Sequence, residues 1–189
     1  MATTKLITVE DLWTLDDDGK RCALIRGELI CMSPSSGRHG KIGIRIATLL
    51  DLYASRTKLG DVFGVEAGFI LARDPDTLLV PDAAFVRAER VPPEEEQKGF
   101  LELAPDLVVE VLSPSERPGQ ITTKLLTYLN AGVTIVWHVD PEDRSVTVHT
   151  AGQTPRTLTV DDEIDGGEVL PGFSAPVAAF FERWLRDGS

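Results

Sequence analysis

Two carboxylates stand where apolar strand sequence makes a charge unfavourable. Asp82 follows Pro81 at the entry to Ala83-Ala84-Phe85-Val86, and Glu110 interrupts the run from Leu107 to Leu112. An ionised carboxylate in such a place is costly unless it is paired or binds a metal. If the two strands are neighbours, both side chains can converge on one cation, and an all-oxygen donor set suits magnesium or manganese. Lys124 lies beside an apolar helical stripe formed by Leu125, Leu126 and Leu129. From that edge its ammonium can reach the carboxylates, steady charge developing on a phosphorus centre, or position an attacking water. Tyr128, four residues on, shares the face of Lys124. Singly, each has a plainer reading: a turn aspartate, an ion-paired glutamate, a solvated lysine. The combination favours chemistry.

Other polar residues carry less. Glu28, in GELI, and Glu66, between two short strands, are candidates for a further carboxylate, and His39 for a supporting role at the start of a long helix. His138, between Trp137 and Val139, reads as structural and His149 as solvent-facing. Ser113 and Ser115 sit in S-P-S without a nucleophile elbow around them, so a turn leading into a helix explains them better. The chain has neither a P-loop nor GxGxxG, which argues against nucleotide-dependent chemistry. Trp13, Trp137 and Trp184 are too scattered for a base-stacking platform.

The elements that must position these residues follow from periodicity. Val9 to Leu15 reads as a short amphipathic helix capped by Thr8, before a hairpin of Ala23-Leu24-Ile25 and Glu28-Leu29-Ile30 around Gly27. A long helix runs from about His39 to Lys58, introduced by SPSSG, with Ile42, Ile46, Leu49, Leu50 and Tyr53 at helical spacing. Strands follow at Val62–Val65, Gly68–Leu71, Leu78–Val80, Ala83–Val86 and Asp106–Leu112. A helix over about Thr122 to Ala131 precedes strands at Thr134–Val139 and Ser145–His149, and a last helix spans Pro176 to Leu185. This order predicts a mixed α/β (α+β) sheet flanked by helices, not a regular βαβ array. All 189 residues are expected in one domain: an extension over 1–37, a core over 38–150 and a C-terminal extension over 151–189.

Composition bounds the setting. The net charge of -11 disfavours long-range attraction of a polyanion, and no Lys/Arg-rich run offers a footprint. Cys22 and Cys31, nine residues apart, read as buried thiols in preference to a disulfide. The N-terminus lacks the pattern of a signal peptide, and every apolar stretch is far shorter than the roughly 18 residues needed to cross a bilayer, so a cytoplasmic location off the membrane is expected.

The motifs GELICMSP, His39, Pro81-Asp82, LVVEVLSPS, Lys124, Tyr128 and AGVTIVWHVDP together resemble the Uma-two family of restriction-endonuclease-like domains, over about Leu24 to Val148. The resemblance implies a PD-(D/E)xK nuclease core with a central sheet, and a divalent metal held by Asp82 and Glu110. In that superfamily a lysine sits two residues after the second acid, where this chain has Leu112. The family pattern implies that the lysine has moved to the next helix, at Lys124. The implied reaction is phosphodiester hydrolysis by one cation, or two roughly 3.5–4 Å apart. Nucleic acid, DNA before RNA, is the implied substrate and a homodimer the expected assembly, joined through the long helix or the PVAAFFERWL segment. Two alternatives stay open on sequence: an inactive nuclease fold that binds a partner, and a metal-dependent hydrolase of a smaller phosphoester.

Overall fold

The computed structural model describes residues 6–14, 21–32 and 36–182. Helix α1 (Val9–Trp13) is capped by Thr8, whose hydroxyl accepts from the Asp11 N–H while the Asp11 carboxylate accepts from the Thr8 N–H, each at 3.1 Å. Strands β1 (Arg21–Ile25) and β2 (Glu28–Met32) form a hairpin through Arg26 and Gly27, at φ 54° and 77°. Two left-handed residues in a row suit a two-residue turn between twisted strands. A Cβ on Gly27 would approach the Leu6 Cβ to 2.8 Å, so glycine serves the turn and the close passage of Leu6.

That turn overturns the reading of the cysteines. Ile25 pairs with Glu28, so the antiparallel register sets Cys22 opposite Cys31, and the two form a disulfide. Cys31 is exposed, not buried as expected.

Helix α2 (Gly37–Thr57) starts where Ser36 accepts from the His39 N–H at 3.3 Å. Strands β3 (Gly60–Phe63), β4 (Phe69–Ala72), β5 (Thr77–Leu79), β6 (Ala83–Arg87) and β7 (Leu107–Val111) follow. Helix α3 (Pro118–Asn130) leads to β8 (Ile135–Asp140), β9 (Ser145–Thr150), β10 (Arg156–Leu158), β11 (Glu163–Gly166), β12 (Leu170–Pro176) and the short helix α4 (Ala178–Phe181). A six-stranded mixed sheet has the order β10-β9-β8-β7-β6-β3, with β7 and β8 parallel and the other neighbours antiparallel. Helix α3 is the crossover that the parallel pair requires. A four-stranded sheet, β2-β1-β5-β4, carries the hairpin, and β11 pairs with β12.

Alternation along β7 sorts its side chains. Leu107, Val109 and Val111 join Ile42, Ile46 and Leu50 of α2, with Trp137 and Phe180, in the largest core cluster. Val108 instead meets Val136 and Tyr128 in a second cluster, against which Leu125 and Leu129 of α3 pack. Glu110 is in step with Val108 and therefore turns toward α3.

Several expectations change. Helix α3 begins four residues before Thr122, because Pro118 occupies its first turn, where a missing N–H costs nothing. Leu126 is 52% exposed and falls outside the apolar stripe. Strands β10, β11 and β12 were not anticipated. The expected helix from Pro176 gives way to the end of β12 and to α4, which stops at Phe181; residues 183–185 lie outside the described residues.

Candidate active site

Strands β6 and β7 are hydrogen-bonded neighbours, with Ala83 opposite Val109, and the Asp82 N–H donates to the Val109 carbonyl at 3.1 Å. Asp82 is 3% exposed, and both oxygens of its carboxylate have polar partners. Oδ2 accepts from the Val111 N–H at 2.8 Å and lies 3.3 Å from His39 Nε2, while Oδ1 accepts from Arg21 Nη1 at 3.1 Å. Burial pushes the Asp82 carboxyl up, but His39, the Val111 N–H and Arg21 together outweigh it and hold the group below the ordinary carboxylate value. The same contact works in reverse on His39: its hydrogen bond to Asp82 raises it by more than burial lowers it.

Glu110, 6% exposed, is held by α3. Its Oε1 accepts from the Tyr128 hydroxyl at 2.7 Å, and its Oε2 lies 3.3 Å from Lys124 Nζ. Burial raises the Glu110 carboxyl and the charge of Asp82 adds to the rise; Lys124 and the Tyr128 hydroxyl offset part of it. Burial also acts against the charge on Lys124, but the carboxylates of Glu110 and Glu116 prevail and keep it an ammonium. Tyr128 is pushed well above its usual value by burial and by Glu110, so it is a neutral donor.

Two residues of this network were not singled out by sequence. Glu116 takes Lys124 Nζ at 2.9 Å on Oε1 and the Ser113 N–H at 3.1 Å on Oε2, tying the loop after β7 to the helix that follows. Arg21 bridges Asp82 and the Val80 carbonyl, the latter at 3.1 Å. Nothing in KRCALI marks Arg21. The signal for Glu116 was Pro118, which places the helix start next to it.

Asp82, Glu110, Lys124 and His39 line one cavity of about 400 Å³. Tyr128 reaches Glu110 from behind it, within the second core cluster. Glu28 and Glu66 are exposed and do not line the cavity. His138 pairs in register with Glu110 and is 7% exposed, its ring edge-on to that of His149 at 4.8 Å between centroids. His149 is thus half-buried, where a solvent-facing residue was expected. Among the described residues, no group of three or more His, Cys, Asp or Glu side chains is arranged to hold a metal.

A mixed sheet flanked by helices, with this cavity at the ends of β6 and β7, is a restriction-endonuclease-like fold. The chain belongs to the Uma2 family, described as "Putative restriction endonuclease", whose family model matches residues 9–178. It is similar to the crystal structure of a "putative nuclease belonging to DUF820" from Anabaena variabilis ATCC 29413, with a TM-score of 0.81 and 21% sequence identity. The likeness covers 93% of this chain and 97% of that one, and at this identity it speaks for the fold. No curated protein matches the chain.

Proposed function

We propose that the chain is a divalent-metal-dependent endonuclease of the PD-(D/E)xK type, hydrolysing phosphodiester bonds in nucleic acid, DNA before RNA. Asp82 and Glu110 would hold the cation and Lys124 would act beside them. One observation carries the reading: two buried carboxylates at adjacent strands line a single cavity with a partly buried ammonium, which pairs with one of them.

The donor set fits magnesium or manganese. Both side chains offer hard oxygen, and the upward push on Glu110 from burial and from Asp82 is one that added positive charge relieves. Two carboxylates suffice for an ion such as magnesium, which usually keeps several waters. Bound there, the cation would polarise the phosphate and generate a nucleophilic hydroxide from water.

The chain's own residues supply the rest. Lys124 stays protonated, so it steadies negative charge on the phosphate oxygens and does not abstract a proton. Tyr128 fixes the orientation of Glu110 through Oε1, and Arg21 and His39 fix that of Asp82. Glu116 aims the lysine. Of the surfaces expected to join a homodimer, the C-terminal segment buries Val177 and Phe180 in the core, which leaves Ile44 and Leu52 of α2 exposed for that role.

The test is incubation of the protein with supercoiled plasmid, single-stranded DNA and RNA in Mg²⁺, Mn²⁺ or EDTA. Cleavage that needs the metal, vanishes in Asp82→Ala and falls about 10²–10³-fold in Lys124→Ala is the expected result. Cleavage that survives both substitutions would sink the assignment. Failure on every polynucleotide, with hydrolysis of a small phosphoester, would transfer the same site to that smaller substrate.

A further inference from the structure

The cavity extends past Asp82, Glu110 and Lys124 into a cleft between the β1–β2 hairpin and α3. Strand alternation sends Ala23 and Ile25 to one hairpin face, and the register adds Ile30, opposite Ala23. That face lines the cleft, with Ile25 and Ile30 partly exposed. Gln120 and Thr123 stand on the facing helical wall. The Gln120 carbonyl oxygen accepts from the Arg117 N–H at 3.0 Å, so its amide NH₂ is the group it can offer a ligand.

A charged floor, one apolar wall and one hydrogen-bonding wall match three parts of a nucleotide: its phosphate, the flat face of its base and the polar edge of that base. The volume of about 400 Å³ lies near the lower end of pockets that take one small molecule. That is the scale of one nucleotide, far below that of a stacked, paired helix. Enzymes with such clefts act on unpaired strands or must extrude the nucleotide from a duplex, which costs free energy. The net charge of -11 points the same way, since short-range contacts must supply what long-range attraction does not.

We propose that this cleft is a base-accepting subsite, and that the site prefers single-stranded or frayed nucleic acid to intact duplex. The position of the phosphate rests on the nuclease reading above; the base subsite is measurable without turnover.

The experiment uses the full chain and an oligonucleotide carrying 2-aminopurine, in calcium and in EDTA, as a single strand and annealed to its complement. A third strand is abasic at one position and is followed by anisotropy. Fluorescence should report binding of the single strand, with the duplex and the abasic strand bound about tenfold more weakly or worse. Ile30→Asp and Ile25→Ala should each weaken single-strand binding while leaving the thermal melt intact; if Ile30→Asp perturbs the melt, Ile25→Ala carries the comparison. Equal binding of duplex and single strand, an abasic strand bound as tightly as the intact one, or no binding of any strand overturns the subsite, even in an active nuclease. Base-dependent binding with no cleavage of any substrate would instead overturn the nuclease reading and leave the subsite standing.

Discussion

Truncating Lys124 would leave Glu110 buried with the Tyr128 hydroxyl and, among the described residues, no cation at hydrogen-bonding distance. Breaking a buried pair from one side costs about 3–5 kcal/mol, most of it for stranding the other charge. Lys124→Ala should therefore melt well below the wild type in EDTA. Added Mg²⁺ should stabilise the variant by more than it stabilises the wild type, because a cation replaces the lost ammonium. A variant no more responsive to Mg²⁺ than the wild type would count against Glu110 as a ligand. His138 supplies a second measurement. Burial, then the neighbouring His149, lowers its pKa from 6.5 to about 4, with smaller opposed contributions from Glu116 and Lys124. The unfolded chain binds the extra proton between those values, so stability falls as pH drops from about 6.5 to about 4, on the order of 3 kcal/mol at most. Denaturant melts of wild type and His138→Gln across that window should diverge by this pH-dependent amount, and parallel curves would refute it. Asp82, Glu110 and Lys124 were legible in the sequence because each is out of place beside apolar neighbours. Glu116 and Arg21 sit among ordinary loop and strand-edge polar residues, where only the fold shows what they touch.

At the scale of elements, the hairpin and the cysteine pair are one fact. A two-residue turn at Arg26-Gly27 pairs residues whose numbers share a constant sum, and Cys22 and Cys31 satisfy it. Closing a loop of this length restrains the unfolded chain by about 2–3 kcal/mol. Reduction with dithiothreitol, or Cys22→Ser with Cys31→Ser, should lower the melting temperature by roughly 4–12 °C. A thiol titration that finds two reactive cysteines in the untreated, denatured protein would contradict the bond. The long helix, the central strands and α1 with its Thr8 cap were legible because their patterns are strong. Strands β10 to β12 were not. Strands β10 and β11 span only three and four residues, and the longer β12 is broken by Pro171-Gly172 and ends at Pro176, so no sustained alternation marks them although each pairs with a neighbour in sequence.

For the whole molecule, the charge of -11 decides how a polyanion can be held. A protein with six to ten phosphate contacts loses about 10³–10⁵ in affinity between 50 and 200 mM salt. This chain should lose about tenfold or less over that range, as read by anisotropy with a labelled single strand, because few cations face its cleft. A steep slope would reveal a basic track that the sequence does not display. The lysine's place on α3 has a consequence for timing. Both carboxylates are anchored to a hydrogen-bonded sheet, whereas the ammonium rides on a helix held by side-chain packing of Leu125, Tyr128 and Leu129. A slip of that helix by one turn would carry Lys124 about 5.4 Å along its axis while the sheet stood still. Amide exchange along α3 then becomes a clock for the centre: on the proposed reading, each opening of the helix would be an interval in which the carboxylates remain and the chemistry would pause.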